Sequence, residues 1–168
     1  MDHQESRHYE DQVAERATAA GISLNVGTFA LALNLVRAAN FLVGQLEQEI
    51  YRHRGVSYAG FRILFALWVV GPAEPKRLAT LASVTRSSTS SVLNTLERDG
   101  FVERRRESID RRVVTTQLTE SGLQLVLETL EEHQPLLGKW TDALSDDERR
   151  TMNNLLHRLM ASGAPALL

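Results

Sequence analysis

Leu78-Ala79-Thr80-Leu81-Ala82-Ser83-Val84-Thr85-Arg86-Ser87-Ser88-Thr89-Ser90-Ser91-Val92-Leu93-Asn94-Thr95-Leu96-Glu97-Arg98-Asp99-Gly100-Phe101-Val102 is the segment on which the reading of this chain turns. Two short helical patterns meet in it at Ser83-Val84, and the second stops at Asp99-Gly100. Pro75 sits where a first helical residue is tolerated, because its missing N–H would have had no partner there. Thr85 can accept hydrogen bonds from the free N–H groups of the turn that follows, so a second helix starts at that point and Gly100 ends it. Residues 82–84 suffice for a sharp turn between the two. Residues 101–105 and 113–118 are rich in β-formers and are joined by a charged tip, 106–112, which reads as a hairpin. Helix, turn, helix and hairpin in that order make a winged helix-turn-helix.

Working outward, Ser57 can cap a preceding helix with Phe61, Leu64, Phe65, Leu67 and Trp68 on its burying face, stopped by Gly71-Pro72. Residues 24–52 fit one long helix ended by Gly55, and their apolar set is too wide for a single core-facing stripe, which calls for a second chain over the remainder. On the other side, Thr119 caps a long helix containing Leu123, Val126, Leu127 and Leu130, which Pro135 is expected to kink or break near Glu132-His133. Ser145-Asp146-Asp147-Glu148 is a capping box that opens a last helix, fading at Gly163-Ala164-Pro165. Residues 5–19 suit a short amphipathic helix or a frayed tail equally. The expected class is mainly α (α+β), with about six helices and a two- to three-stranded wing. Its expected organisation is an extension over 1–22, dimerisation helices over 23–55 and 119–162, and a DNA-binding lobe over 56–118.

The chain has 168 residues, no cysteine and a formal net charge of −2. Without cysteine there is no disulfide framework, thiolate metal site or thiol redox switch. No stretch approaches the roughly 18 uninterrupted apolar residues of a membrane span, and Met1-Asp2-His3-Gln4-Glu5 lacks the order of a signal peptide, so no membrane partner and a cytoplasmic location are expected. The charge is unevenly spread. Between Lys76 and Arg112 nine basic residues face five acidic ones, +4, which leaves −6 for the rest. A basic field confined to one face of an acidic body is suited to phosphate.

On a helical wheel Thr85, Thr89, Val92, Leu93 and Leu96 fall on one side of the second helix, opposite Ser87, Ser91, Asn94 and Arg98. Small hydroxyl side chains let a helix sit deep in a major groove, where Ser and Thr bond base edges or phosphate oxygens. Arg86 has the reach and fork for a guanine O6/N7 pair. Candidate DNA contacts are therefore Thr85, Arg86, Ser87, Ser88, Ser90, Ser91, Asn94 and Arg98 from the helix. Arg104, Arg106, Asp110, Arg111 and Arg112 join them from the hairpin. Arg111 and Arg112 can enter a minor groove, with Asp110 locking Arg112 into one rotamer. The alternatives are a weak surface helix, since Ser and Thr are mediocre helix formers, and a solvated loop. The ensemble of turn, short helix and hairpin argues against them.

The segment from Ser57 to Gly122 resembles the MarR family of bacterial transcription regulators. The likeness lies in the Leu-Ala helix, the run Leu96-Glu97-Arg98-Asp99-Gly100-Phe101-Val102, the Asp110-Arg111-Arg112 wing and Leu118-Thr119-Glu120-Ser121-Gly122. Flanking helices included, it covers residues 26–160. It implies a homodimer on a pseudo-palindromic operator, most simply a repressor released by a small aromatic or phenolic effector. Where many relatives place a long basic residue, this chain has Ser91, which implies either softer base discrimination there or its shift towards Arg86 and Asn94. Effector-site candidates implied by the resemblance are Arg37, Tyr51, Arg62, Phe65 and Trp68, since aromatic walls and one cation suit an aromatic carboxylate. Dimerisation has its own physical ground, because two copies roughly double the counterions released.

A ligand-independent regulator or architectural DNA-binding protein is the competing reading, and a small enzyme a remote third. Neither a nucleophile elbow, a Gly-rich phosphate loop nor a paired catalytic carboxylate is recognisable. The five histidines show no metal-ligand spacing, and Glu131-Glu132-His133 reads as a solvated helix face. No cofactor is expected.

Overall fold

The computed structural model describes residues 3–106 and 114–163, with the backbone alone at 3, 4, 106 and 163. Its contacts divide into two compact units, Met1–Gly44 and Gln45–Leu168. Among the described residues there are seven α-helices and one two-stranded sheet.

In the first unit, α1 (His3–Ala19) ends where Gly21 takes φ +70° and the Ile22 N–H bonds back to the Ala17 carbonyl at 2.9 Å. Glycine accepts that left-handed backbone without steric cost. Asn25 then starts α2 (Val26–Leu46) by accepting from the Thr28 N–H at 3.0 Å. Polar contacts join the two helices: Asn34 donates to Glu10 at 2.7 Å, and the Arg37 guanidinium lies 4.5 Å from the centre of the Tyr9 ring. Phe29, Leu31, Leu35, Val36 and Phe41 are left exposed. By length and composition Val26–Tyr51, mean hydropathy 1.6, is apolar enough to cross a membrane. A search for uninterrupted apolar runs misses it because Asn34 and Arg37 break the run.

The second unit begins with a π-helical turn, Glu47–Tyr51, closed by the Arg52 N–H on the Glu47 carbonyl at 3.1 Å. The expected single helix over 24–52 therefore ends in a widened turn, which brings Ile50 and Tyr51 into the core. Next come α3 (Tyr58–Val70), α4 (Pro75–Leu81) and α5 (Arg86–Arg98). Ser57 caps α3 by accepting from the Gly60 N–H at 3.1 Å, and Gly71, φ +72°, ends it. Helix α3 is the hub: Ile63, Leu64 and Leu67 are buried against Leu78 and Ala79 of α4 and Leu93 and Leu96 of α5.

Strands β1 (Val102–Arg106) and β2 (Val114–Leu118) pair antiparallel, Val102 opposite Leu118 and Arg106 opposite Val114. The other edge of β2 pairs with Ala73, whose N–H and carbonyl bond Thr116 at 3.0 and 2.9 Å. That single bridge is what a third strand amounts to here, and it ties the sheet to the loop before α4.

Helix α6 (Glu120–Thr141) is capped by Thr119, which accepts from the Gly122 N–H at 3.1 Å. Of the two outcomes expected at Pro135, a kink or a break, the break does not occur: α6 runs through the proline. Pro135 is exposed, so water can solvate the Glu131 carbonyl that loses its partner. The capping box is present at the start of α7 (Asp146–Gly163): Ser145 N–H donates to Glu148 at 2.8 Å, and its hydroxyl accepts from Glu148 N–H at 3.4 Å. The Ser145 hydroxyl, donating to the Glu148 carboxylate at 2.6 Å, and then the Ser145 N–H hold that carboxyl below its ordinary range. Leu155 and Leu159 of α7 are exposed.

Candidate nucleic-acid interface

Helix α5 owes its orientation to a division of its faces. Thr89, Leu93 and Leu96 are buried, and Thr89 turns its hydroxyl inward to the Thr85 carbonyl at 2.8 Å. The opposite face is open. Arg86, Ser87, Ser88, Ser90, Ser91, Asn94 and Arg98 are all exposed on it, and so is the cap Thr85. Thr85 accepts from the Ser88 N–H at 3.2 Å and lies within 3.2 Å of the Ser87 hydroxyl. Ser90 bonds the Arg86 carbonyl at 3.3 Å. Among the described residues the Arg86 guanidinium and the Ser91 hydroxyl have no partner, so both are available to a ligand. Between α4 and α5 the turn passes through Ser83 at φ +48°, a left-handed conformation that costs a residue with a Cβ about 1–2 kcal/mol.

The arginines divide by partner. Arg98 is paired with its neighbour Asp99 at 2.9 Å, which raises its own pKa. Arg105 pairs with Glu103 at 2.7 Å, a carboxylate that also accepts from Gln117 at 2.6 Å. Arg104 reaches back from β1 to α5, donating to Asn94 Oδ1 at 2.6 Å and meeting Glu97 at 3.1 Å. The backbone of Arg106 ends β1. Asp110, Arg111 and Arg112 lie outside the described residues.

The wing is fixed at its base to α6. Thr119 and Ser121 hydroxyls both donate to the Gly100 carbonyl, at 2.6 and 2.8 Å, and the Thr119 N–H bonds the Phe101 carbonyl at 3.1 Å. A Cβ on Gly122 would stand 1.9 Å from that carbonyl oxygen, so only glycine permits the approach.

A second feature of the unit is a cavity of about 480 Å³ walled by Tyr51, Tyr58, Phe61, Phe65, Leu81, Ala82, Leu130 and His133, with Arg62 at its side. Of the five effector-site candidates it brings together Tyr51, Arg62 and Phe65. Trp68 contributes instead to a separate groove with Pro72, Gln117 and Leu123, one helical turn from Phe65. Arg37 belongs to the first unit, where it engages Tyr9. At the cavity floor the Tyr51 hydroxyl meets His133 Nε2 at 2.9 Å. Burial first, then Tyr58 and Glu47, pushes the Tyr51 pKa up, and burial pushes that of His133 down against the pull of Glu132. The pair is therefore a neutral phenol against a neutral imidazole, and the tautomer of the imidazole sets the direction of the bond. His133 is not the solvated residue its sequence neighbours suggested. Its membership in the buried series Val126, Thr129 and His133 was the signal that could have found it.

The sequence pattern of the MarR family matches residues 56–114, which take in α3, α4, α5 and β1 and end at the first residue of β2. Over 137 residues the chain is 31% identical to the HTH-type transcriptional regulator YwaE of Bacillus subtilis, an alignment covering 82% of this chain and 80% of that one. The chain belongs to the MarR family. Its members are transcriptional regulators rather than enzymes, and this chain is a MarR-family transcriptional regulator with a DNA-binding fold. Among solved structures, a MarR mutant from E. coli complexed with operator DNA superposes with a TM-score of 0.74 at 23% identity, covering 82% of this chain and 98% of that one. BpsR of Bordetella bronchiseptica, whose DNA binding is regulated by 6-hydroxynicotinic acid, gives a TM-score of 0.71 at 22% identity over 77% of this chain and 98% of its own. At such identities the likeness is one of fold.

Proposed function

We propose that two copies of this chain bind a pseudo-palindromic operator and repress transcription until a small aromatic molecule occupies the cavity of each. The observation that carries the reading is the outer face of α5. It is lined by short hydroxyls, Asn94 and Arg86, which has no partner among the described residues, on a helix whose other face is locked into the core. A helix so faced can enter the major groove with Arg86 and Asn94 at base edges, while Thr85, Ser87, Ser88, Ser90 and Ser91 reach bases or phosphates. Arg98 and Arg106 are assigned to the phosphate backbone, Arg104 is taken up by Asn94 and Glu97 of α5, and Arg111 and Arg112, oriented by Asp110, probe the adjoining minor groove. The exposed apolar side chains of α2 and α7 are the surfaces that pairing of two chains buries, which gives residues 23–55 and 119–162 the dimerising role and 56–118 the DNA-binding one. The workplace is the cytoplasm.

For the effector, the aromatic walls and Arg62 suit a flat ring with a hydroxyl or carboxylate. BpsR and its 6-hydroxynicotinic acid supply a precedent for that chemistry. Leu81 and Ala82 close the cavity on one side and lead directly into Ser83-Val84, so an occupant presses on the turn that aims α5. The test is electrophoretic mobility shift on the DNA upstream of the chain's own gene, with and without aromatic acids and phenols. A shifted duplex that the right aromatic compound releases, with a raised melting temperature for the protein, supports the reading. DNA binding indifferent to every such compound would leave a ligand-independent regulator.

A further inference from the structure

Arg104 does something other than approach phosphate. Its guanidinium has only donors to offer, so the Asn94 amide atom 2.6 Å away must be the oxygen, and the rotamer of that amide is settled by chemistry. Glu97, one turn further along α5, holds the other arm of the guanidinium at 3.1 Å. Asn94 and Glu97 thus form a two-pronged seat for one arginine, and both the helix and the strand that supply the parts are anchored in the core. Asn94 is otherwise an exposed residue on the open face of α5.

An unrestrained asparagine reads adenine by offering oxygen and nitrogen together, accepting from N6–H and donating to N7. With the oxygen drawn back towards β1, the two amide atoms cannot both face one base edge. What remains outward is Nδ2, a donor. From this we infer that Arg104 is a positioning residue that converts Asn94 into a donor-only reader. The operator base it meets then presents acceptors alone, guanine through O6/N7 or thymine through O4, in preference to adenine. The inference rests on the DNA-binding reading above and adds a specificity to it. It also accounts for Glu97, a carboxylate on a helix meant for a polyanion: Arg104 neutralises it in place.

The experiment is selection from a library of randomised duplexes by the full-length chain, in parallel for the parent, Arg104→Ala, Arg104→Lys, Asn94→Ala and the Asn94→Ala/Arg104→Ala pair. The parent is expected to favour guanine or thymine at one position of each half-site, a preference that Asn94→Ala erases. Arg104→Ala frees the amide and should move that position towards adenine by about tenfold, the scale of one bidentate pair. Arg104→Lys, still a pure donor, should keep the parental preference. The pair should show no gain for adenine. Thermal denaturation checks folding, and Arg104→Met, which keeps the aliphatic stem, replaces the alanine variant if that does not fold. Adenine already favoured at the Asn94-dependent position in the parent would overturn the proposal. So would an Arg104→Ala profile unchanged in base preference but uniformly weaker with a shallower salt dependence, which would make Arg104 a phosphate contact. Should the parent select no duplex at all, the DNA-binding reading fails and the inference with it.

Discussion

Ser83 and Gly122 hold the geometry of the DNA-binding lobe by opposite means. Ser83 tolerates a left-handed backbone at φ +48°, so Ser83→Gly should relieve strain. Setting about 1–2 kcal/mol of relief against the 0.5–1 kcal/mol that glycine's freedom costs in the unfolded chain leaves a gain of roughly 0.5 kcal/mol. A fall in melting temperature for this variant would contradict the strain. Gly122 lets α6 approach the Phe101 carbonyl, and a methyl there would lie 1.9 Å from its oxygen. Gly122→Ala should therefore cost about 3 kcal/mol despite alanine's better helix propensity, measurable by urea denaturation. At His133 the sign follows from burial. Its pKa falls below the ordinary 6.5 on folding, so the unfolded chain binds the extra proton first. The stabilisation is complete above that value and is lost as pH falls towards the folded-state pKa. The melting temperature should therefore decline as pH drops below about 6.5, before the carboxylates titrate. His133→Gln, which still offers Tyr51 an acceptor, should flatten that decline. An equally steep profile in the variant would place the titration elsewhere.

At the scale of elements, local rules account for most boundaries. Ser57, Thr85, Thr119 and Ser145 each cap the helix expected of them, and the division of faces on α5 follows the wheel. Where the sequence misled, the missing information was tertiary. Nothing local announces a π-helical turn at Glu47–Tyr51, because it is the burial of Ile50 and Tyr51 that favours it. Trp68 and Phe65 share an apolar helix, yet only one of them reaches the cavity, since three residues of helix aim them at different neighbours. Arg104 reads as a free cation until β1 is seen to lie beside Asn94 and Glu97. At Pro135 the helix continues rather than breaks. Because α6 runs through it, restoring an N–H for the Glu131 carbonyl should help: Pro135→Ala is expected to gain about 2 kcal/mol, the interior-proline penalty of about 3 less the rigidity proline lends the unfolded chain. No gain in denaturation midpoint would mean that α6 already bends to accommodate the ring.

For the whole molecule, the proposed function draws on surfaces that a single chain leaves open: the outer face of α5, and the apolar side chains of α2 and α7. Val36 and Phe41 are 57% and 61% exposed, far more than an isolated apolar helix would hold in water without a partner. Replacing both by aspartate should halve the mass seen by sedimentation and weaken operator binding, since one α5 and one wing release only half the counterions. A dimer that survives the double substitution would move the interface elsewhere. The uneven charge, +4 between Lys76 and Arg112 against −6 elsewhere, should make DNA binding depend strongly on salt.

The most direct test of the central claim, that α5 and the wing together grip duplex DNA, is the affinity of the full chain for its upstream DNA measured by fluorescence anisotropy across a salt series. The logarithm of the binding constant should fall linearly with that of salt, and Arg86→Ala and Arg112→Ala should each make the fall shallower or the binding markedly weaker. Binding that ignores salt, or that neither substitution alters, would contradict the claim.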